Sequence, residues 1–348
     1  MEYKIGLIGC GTVAQGLLEI LESKGDSLKE RYEFEAKVVA ISDKLKGSIL
    51  VPEGIQIKKL LDLLRQGKRV DDYPHPKSKK NDTPDPLEII ERSNADIIAE
   101  LTYTDIKTGE PATSYIKKAL RMGKHVVTSN KGPAALHYHE IAKLAKKNHL
   151  LFRIEGTVMS GTPVFSLIEN GLAGTEIREV KGILNGTTNF ILSKMEEDRM
   201  NYKDALALAQ KLGYAEADPT ADVEGYDALA KIVILSNVLL GGNIQPADVK
   251  RKGITALSKE DILAARSEGF RYKLIAHAKK VGKDIEASVS PHKLPISDPL
   301  AGVMGANNAL TFDSDLLKKV TIQGPGAGKL ETGHAILSDM LAIHRHLQ

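Results

Sequence analysis

The sequence predicts an α/β fold in which an N-terminal Rossmann-type domain, a doubly wound parallel sheet, precedes a second, α+β domain. Three observations support this prediction. Apolar runs of strand length alternate with helical patterns through residues 1–150, which is typical of a parallel sheet covered by helices. A glycine-rich turn joins the first apolar run to the first helical pattern, as in dinucleotide-binding units. The 348 residues are also enough for two domains.

Composition excludes several classes of protein. Hydrophobic residues make up 42% of the chain and charged residues 27%, as in ordinary globular proteins. The 48 basic and 45 acidic residues nearly cancel and aromatic residues are only 5%, so we expect no nucleic-acid partner. No apolar run reaches about 20 residues, so we expect no membrane partner. A single cysteine, Cys10, and no signal-peptide pattern predict a cytoplasmic protein without disulfides.

The first strand, predicted over residues 3–9, leads into the turn GCGTVA of residues 9–14. The strict fingerprint G-x-G-x-x-G has glycine at its last position, where Ala14 is still small enough for close packing of helix on strand. The two glycines permit a tight turn and the approach of a pyrophosphate to a helix N-terminus. The alternative is a turn that only joins strand and helix. The motif opens the chain, follows a strand and starts a helix, and this context favours dinucleotide binding. The residues expected to contact the cofactor are Gly9, Gly11, Thr12 and Val13.

The end of the second strand, predicted over residues 36–42, bears on the choice of cofactor. Asp43 follows this strand and is placed to accept the ribose hydroxyl of NAD. Ser42, Lys44 and Lys46 are instead suited to the additional phosphate of NADP. These signals conflict, so the sequence leaves NAD and NADP both open.

Polar residues also follow the strands predicted over residues 95–101 and 125–130. Thr102 follows the first, and Lys131 follows the second at the start of a helix. Ligands of doubly wound sheets bind beyond the carboxyl ends of the strands. We therefore expect Lys131 to meet cofactor or substrate, with an exposed lysine at a helix start as the alternative.

Three other segments are predicted to be turns or loops. Residues 73–86 contain four prolines and a lysine-rich stretch, which is typical of a solvated loop. Residues 324–331, GPGAGKLE, have the wrong glycine spacing for a phosphate-binding loop and no Ser or Thr after the lysine. A calcium loop that begins at Asp218 fails because its sixth position is Val223.

The middle of the chain contains two motifs rich in small or polar residues. A strand over residues 151–154 runs into the small-residue loop of residues 155–163, and a helix is predicted over residues 163–170. A strand over residues 178–184 precedes the cluster NGTTN of residues 185–189. A turn with a helix N-cap is a sufficient local explanation of this cluster, and the sequence leaves a functional role equally open.

Residues 213–231 are the most informative stretch of the chain. A largely apolar helix, predicted over residues 225–240, carries Asp227 and Lys231 four residues apart, on one face. An exposed pair of this kind contributes only about 0.3–0.5 kcal/mol, whereas a half-buried pair in a cleft tunes the lysine for acid–base chemistry. Spacing alone leaves these alternatives equal. The carboxylates of the stretch are Glu216, Asp218, Asp222, Glu224 and Asp227.

Over essentially its whole length the chain resembles homoserine dehydrogenases. The motifs that carry the resemblance are GLIGCGTVAQG, TSNKG, EGTVMSGTP, KGILNGTTNFIL, GYAEADPTADVEGYDALAK and the late GPGAG. The resemblance implies reversible reduction of L-aspartate 4-semialdehyde to L-homoserine with NADH or NADPH, on the route to threonine and methionine. It also implies a dinucleotide-binding domain (1–150), a substrate-binding, catalytic and dimerisation region (151–320), and a turn and helix that return to the first domain (321–348).

The resemblance further assigns roles to single residues. Lys231 is implied to be the proton donor and acceptor, and Asp227 the residue at the substrate hydroxyl. Glu216 is implied to bind the substrate ammonium, with Asp222 as a further substrate-binding residue. Lys131 is implied to lie near nicotinamide and substrate, as a catalytic residue. The further cofactor contacts implied are Thr102, Gly213 and Gly328.

A monovalent cation, Na⁺ or K⁺, is implied to bind to main-chain carbonyls of the small-residue loop. The carbonyls are those of Glu155, Val158, Ser160 and Thr162. The resemblance also implies a homodimer. Because the chain ends one helix after GPGAG, we expect the short form without a C-terminal regulatory domain.

Three other functions are weighed against this one. Aspartate-semialdehyde dehydrogenase requires a nucleophilic cysteine, and Cys10 lies within the dinucleotide turn, so that chemistry is excluded. Another amino-acid or sugar dehydrogenase on the same fold is the closest alternative. A non-enzymatic NAD-sensing module would have no use for the Asp227–Lys231 pair.

Overall fold

The computed structural model describes residues 1–74 and 84–348. These form two compact units, one of residues 1–163 with 328–348 and the other of residues 164–327. The unit limits lie later in the chain than the predicted domain limits, after residues 150 and 320. The reason is that the small-residue loop of residues 155–163 packs on the C-terminal helix. Most of the loop predicted over residues 73–86 lies outside the described residues.

The first unit is built on a six-stranded sheet. Its strands are β1 (Glu2–Ile8), β2 (Glu35–Asp43), β3 (Gly47–Leu50), β4 (Ile97–Glu100), β5 (His125–Thr128) and β6 (Phe152–Arg153). They are ordered β3-β2-β1-β4-β5-β6, and only β3 runs antiparallel to its neighbour. The predicted doubly wound parallel sheet is therefore confirmed. The strand order reverses at β1, which is where such sheets bind ligands.

Helices cover both faces of this sheet. They are α1 (Thr12–Tyr32), α2 (Ile57–Arg65), α3 (Pro86–Arg92), α4 (Ala112–Arg121), α5 (Lys131–Leu136) and α6 (Tyr138–Lys147). Apolar side chains alternate along the strands, so that Ile5 and Leu7 join a core with α1 and α2. Ile98 joins the core on the opposite face, with α3, α4 and α6.

The second unit contains a largely antiparallel sheet. Its strands are β7 (Ile177–Ile183), β8 (Lys250–Arg251), β9 (Phe270–Val281), β10 (Asp284–Pro295), β11 (Asn307–Ser314) and β12 (Lys318–Pro325). They are ordered β12-β11-β7-β9-β10-β8, and only the β8–β10 pair is parallel. The predicted α+β character of the second part of the chain is thus confirmed.

The helices of the second unit are α7 (Gly186–Glu197), α8 (Tyr202–Lys211), α9 (Thr220–Val223), α10 (Tyr226–Leu239) and α11 (Lys259–Ser267). Residues 228–237 of α10 are all buried, as its apolar sequence predicts. The helix predicted over residues 163–170 is wrong in extent, since a π-helical turn at Leu167–Gly171 replaces its second half. The final helix, α12 (Lys329–Leu347), belongs to the first unit. Within residues 1–74 and 84–348, no helix is long and apolar enough to cross a membrane.

One buried polar side chain at the start of β11 lacks hydrogen bonds. Asn308 is fully buried, and its Nδ2 and Oδ1 atoms have no partner among the residues that the structure describes. Its carboxamide lies flat against Gly326, where an added Cβ would approach to 2.2–2.3 Å. Asn189 is equally buried, yet its Nδ2 donates to three carbonyls and its Oδ1 accepts from Lys273. The two asparagines are therefore buried to the same degree, but within the described residues only Asn189 has hydrogen-bond partners for its carboxamide.

We expect Asn308→Leu to leave the free energy of unfolding unchanged or to raise it. A leucine of similar shape removes a desolvated, unpaired amide, which costs about 1–3 kcal/mol where it is left unpaired. The matched variant Asn189→Leu is expected to lose about 3 kcal/mol, because four hydrogen bonds disappear. Urea unfolding of both variants measures the difference. Equal destabilisation by the two substitutions would contradict the expectation.

Candidate active site

The glycine-rich turn between β1 and α1 has the backbone geometry that a dinucleotide requires. Gly9 has a φ of 97°, and a Cβ there would lie 2.5 Å from the main-chain oxygen of Leu101. Only glycine fits such a position. Gly11 caps α1, and the space that its Cβ would enter is open. Because Thr12 and Val13 begin a 21-residue helix, their free N–H groups and the helix dipole form an anion site at the turn.

Asp43, at the end of β2, is tied to this turn. Its Oδ2 accepts a hydrogen bond from Cys10 N at 2.7 Å, and its Oδ1 accepts from Leu45 N and Lys46 N, each at 2.9 Å. Burial opposes ionisation, but these main-chain donors hold the pKa of Asp43 below its usual value. The carboxylate is therefore ionised and fixed beside the phosphate-binding turn.

The residues suited to NADP differ in their surroundings. Ser42 is buried and its hydroxyl pairs with Ser48 at 2.8 Å. The Lys46 ammonium donates to the main-chain oxygen of Cys10. Lys44 is exposed. Two of the three groups are thus, like Asp43, engaged within the protein.

Cys10 itself is chemically inert. The side chain is fully buried, and burial raises the pKa of its thiol to about 12. A thiol with this pKa is protonated near neutral pH and does not act as a nucleophile. The structure therefore supports the exclusion of thioester chemistry.

The carboxyl ends of β4 and β5 meet in a polar network. Thr102 donates from its main-chain N and its hydroxyl to Glu100, and Asn130 Nδ2 donates to the carbonyl of Tyr103 at 3.0 Å. Asn130 also caps α5 through Gly132 N at 3.1 Å, so Lys131 is the first residue of a capped helix. Lys131 is half-buried there. Glu100 is absent from the sequence-based site because it lies inside the run predicted as a strand over residues 95–101, and Thr128, one of its partners, is distant in the chain.

In the second unit, the buried Lys231 pairs with the half-buried Asp227. Lys231 is 7% exposed. Its Nζ donates to Asp227 Oδ2 at 2.8 Å and to the main-chain oxygen of Leu184 at 2.7 Å. The structure contradicts the exposed-pair alternative. A lysine held by a carboxylate one helical turn away is arranged for acid–base chemistry.

Asn185 joins this pair to a second carboxylate. Its Nδ2 donates to Asp227 Oδ2 at 3.0 Å and to Asp222 Oδ1 at 2.6 Å. Its Oδ1 accepts from Thr188 N at 2.9 Å, which is the predicted N-cap of the helix. Burial, together with the nearby charge of Asp227, raises the pKa of Asp222. The NGTTN cluster is therefore both a helix cap and part of the lysine–carboxylate group.

The remaining carboxylates of residues 213–231 lie apart from this group. Glu216 is exposed in the turn after α8. Asp218 Oδ1 accepts from Thr220 N at 3.0 Å at the start of α9. Glu224 Oε1 accepts from the hydroxyl of Thr255 at 2.7 Å. Asp218 and Glu224 thus stabilise local structure, and ammonium binding by Glu216 stays a prediction.

Two predicted cofactor glycines adopt conformations that favour glycine. Gly213 has a φ of 78° and is exposed. Gly328 has a φ of 146°, and a Cβ there would lie 2.0 Å from Glu331 Oε2 at the start of α12. The positive φ, more than the movable Glu331 carboxylate, therefore favours glycine at position 328.

The small-residue loop has features that suit a carbonyl site for a cation. Its four predicted ligand residues are all buried, and Met159 and Ser160 both have left-handed backbones, with φ of 57° and 53°. Asp339 Oδ2 holds one end of the loop through Glu155 N at 2.8 Å. Oxygen ligands suit hard cations, and the carbonyl site stays a prediction. Over residues 1–74 and 84–348, no group of three or more His, Cys, Asp or Glu side chains is arranged to hold a metal.

A dinucleotide turn with an acid at the end of β2, and a buried lysine–carboxylate group in the second unit, define a nicotinamide-dependent oxidoreductase. The chain belongs to the homoserine dehydrogenase family. Residues 163–341 match the family model for homoserine dehydrogenase, and residues 9–155 match that for its NAD-binding domain. These matches confirm the family and the class of enzyme that the motifs predicted.

Individual relatives agree over nearly the whole chain. An NAD(+)-dependent homoserine dehydrogenase of Pseudomonas canavaninivorans is 45% identical over 99% of this chain and 97% of its own length. A homoserine dehydrogenase of Methanocaldococcus jannaschii is 40% identical over 97% of both chains. The solved structure of a hyperthermophilic archaeal homoserine dehydrogenase mutant with NADPH superposes with a TM-score of 0.83 at 30% identity, over 99% of this chain and 98% of its own.

Proposed function

We propose that this protein catalyses the reversible reduction of L-aspartate 4-semialdehyde to L-homoserine with a nicotinamide cofactor. The observation that carries the proposal is the contact of the buried Lys231 with Asp227 at 2.8 Å. A dehydrogenase that makes an alcohol requires a proton donor at the carbonyl oxygen. The names of the relatives, of which one is NAD(+)-dependent and another was solved with NADPH, support the reaction and the cofactor class.

Lys231 supplies the proton in this mechanism. A bound reduced nicotinamide would supply the hydride that converts the aldehyde carbonyl to an alkoxide, and the Lys231 ammonium would neutralise and then protonate that oxygen. An ammonium has three donors, and within the described chain two of them serve Leu184 O and Asp227. The third is left for the reacting oxygen. Asp227, itself held by Asn185, orients the amine.

Acidic residues are proposed to bind the ammonium group and the hydroxyl end of the substrate. Glu216 is proposed to bind the ammonium group, Asp222 to be a further substrate-binding residue, and Asp227 to contact the hydroxyl end. Lys131 is proposed to act beside nicotinamide and substrate, with the cofactor also held by Thr102, Gly213 and Gly328. The carbonyls of the small-residue loop would hold a monovalent cation, which supplies fixed positive charge when bound.

Steady-state homoserine oxidation, followed at 340 nm with NAD and NADP in parallel, tests the proposed function. We expect turnover that requires both homoserine and a nicotinamide cofactor. Activity with another amino alcohol or a sugar, and none with homoserine, would overturn the proposal.

The family resemblance also supports a homodimer, and light scattering of the purified protein measures the expected doubling of the 37.8 kDa chain mass.

We further propose that NAD is the preferred cofactor and that Asp43 sets this preference. Asp43→Ser is expected to lower kcat/KM for NAD by about 10- to 100-fold, because hydrogen bonds to a charged group contribute about 1.5–3 kcal/mol. The preference is expected to move towards NADP, since Lys44 remains available for a phosphate. The measurement is the ratio of kcat/KM for the two cofactors.

The control for this prediction is Lys44→Ala. Since Lys44 is exposed, its removal is expected to leave the kinetics with NAD unchanged. Thermal unfolding of Asp43→Ser reports any loss of the turn that its carboxylate holds. An unchanged NAD/NADP ratio in a folded Asp43→Ser protein would show that Asp43 does not select the cofactor.

A further inference from the structure

The first unit contains a fully buried acid that the mechanism does not use. Glu100 is the last residue of β4 and is 0% exposed. Burial raises the pKa of its carboxyl, and the neighbouring hydroxyl and main-chain donors oppose this. A buried carboxyl is costly unless it is fully hydrogen-bonded, so its retention at a strand end requires an explanation.

Glu100 connects two strand ends through three donors. Its Oε1 accepts from the main-chain N of Thr102 at 3.0 Å and from the Thr102 hydroxyl. The single hydrogen of the Thr128 hydroxyl is shared between the Glu100 Oε2 at 3.0 Å and the main-chain oxygen of Glu100 at 2.8 Å. Thr128 Oγ1 in turn accepts from Asn130 N at 2.9 Å. One carboxyl therefore fixes the chain where it leaves β4 and, through Thr128, where it leaves β5.

The same carboxyl supports the residues that meet the cofactor. Gly9 of the dinucleotide turn packs on the Leu101–Thr102 peptide, where an added Cβ would lie 2.9 Å from Thr102 N, and this is the N–H that Glu100 holds. On the other side, Asn130 caps the helix that begins with Lys131. Strand ends β1, β4 and β5 are therefore joined at Glu100.

The order of the strands indicates which half of the cofactor lies there. Asp43 belongs to β2, on one side of β1, and is the residue that would accept the adenosine ribose. Strands β4 and β5 lie on the other side of β1. A dinucleotide that crosses the switch point at β1 brings its nicotinamide half over these two strand ends.

We propose that Glu100 is a positioning residue for the nicotinamide half of the cofactor. It acts through Thr102, Thr128 and Asn130, and it does not touch the reacting atoms. The inference rests on the proposed function only in that the cofactor is a nicotinamide dinucleotide. Glutamine can replace the carboxyl, because its Oε1 still accepts from Thr102 and its Nε2 can donate to Thr128 Oγ1, which keeps the carbonyl of Glu100 as acceptor at 2.8 Å. Leucine cannot bind either threonine.

The test compares Glu100→Gln and Glu100→Leu by fluorescence titration of NADH without homoserine. Because leucine leaves the main-chain N–H and the hydroxyl of Thr102 without their acceptor and an unpaired buried donor is costly, we expect Glu100→Leu to weaken NADH binding at least tenfold and to raise the KM for cofactor. Glu100→Gln is expected to stay within about threefold of the wild type, because small changes of hydrogen-bond geometry contribute well under 1.4 kcal/mol. If Glu100→Leu does not fold, Thr128→Val is used in its place, as a milder change in the same network. It is also expected to weaken NADH binding.

Lys124→Met is the matched control. Lys124 is a buried polar residue directly before β5. Its Nζ donates to the carbonyls of Ser93 at 2.8 Å and Ala95 at 2.9 Å, which precede β4 at the end of that strand opposite Glu100. Its loss is expected to lower the Tm while NADH affinity is kept. If Glu100→Leu or Thr128→Val also lowers only the Tm, Glu100 is merely structural and the proposal is wrong. If Glu100→Gln binds NADH as weakly as Glu100→Leu, charge and not position is responsible, which also overturns it. Because NADH binding is measured without homoserine, failure of the proposed reaction is a separate result.

Discussion

Replacement of Lys231 by methionine is expected to lower kcat for homoserine oxidation by about 10²- to 10⁴-fold, the usual contribution of a general acid–base group. Methionine keeps the length and the packing of the buried side chain but has no proton to exchange. Binding of NADH is expected to remain within about twofold, because the dinucleotide turn and Asp43 are untouched. Steady-state kinetics and fluorescence titration of NADH measure the two effects separately.

Lys273→Met is the control for this variant. Lys273 is also buried in the second unit, and its Nζ donates to Asn189 Oδ1 at 3.0 Å and to the carbonyl of Val303. Burial lowers the pKa of Lys273 to about 8. Loss of this lysine is expected to reduce the Tm while turnover per folded molecule is largely kept. If Lys231→Met retained normal turnover, or if both variants lost it equally, Lys231 would not be the proton donor.

Replacement of Gly16 by alanine is expected to destabilise the protein by about 1–3 kcal/mol, the usual cost of overpacking. A Cβ on Gly16 would lie 2.1 Å from the main-chain oxygen of Lys329, so α1 and α12 would have to separate. Gly333 on the facing helix is as crowded, with Leu17 N at 2.6 Å from its Cβ position. Urea unfolding measures the change in the free energy of unfolding.

The control is a second glycine of the same helix. Gly25 lies in α1, and a Cβ there meets nothing within 4 Å. Gly25→Ala is therefore expected to stabilise the protein by about 0.5–1 kcal/mol, through helix propensity alone. Opposite signs for the two substitutions are the expected result. A stabilising Gly16→Ala would mean that the two helices are not in backbone contact.

Much of the fold could be predicted because its signals are local. The apolar patterns predict strands β1, β2 and β5 and helix α10 within a few residues of their observed limits. The π-helical turn at Leu167–Gly171 was predicted as an ordinary helix. A short segment with a helical pattern does not reveal which hydrogen-bond register it adopts.

Local sequence likewise predicts only part of the candidate site. Spacing placed Asp227 and Lys231 on one face, but it left their burial undecided, since burial depends on what packs against α10. The role of Asn185 as the link between Asp222 and Asp227 is not visible in the sequence, because Asn185 lies 37 and 42 residues before these two carboxylates. Gly16 belongs to the motif GLIGCGTVAQG, yet its close partner is Lys329, more than 300 residues later.

The sequence by itself determined the glycine turn at residues 9–14, the acid at the end of β2, and the lysine one helical turn after Asp227. Backbone sterics and side-chain periodicity act over a few residues and can be recognised without a partner. Tertiary structure alone decided that Lys231 is buried, that Asn185 joins two carboxylates, and that Glu100 holds the ends of β4 and β5. Each of these depends on hydrogen bonds and desolvation that exist only once distant segments pack together.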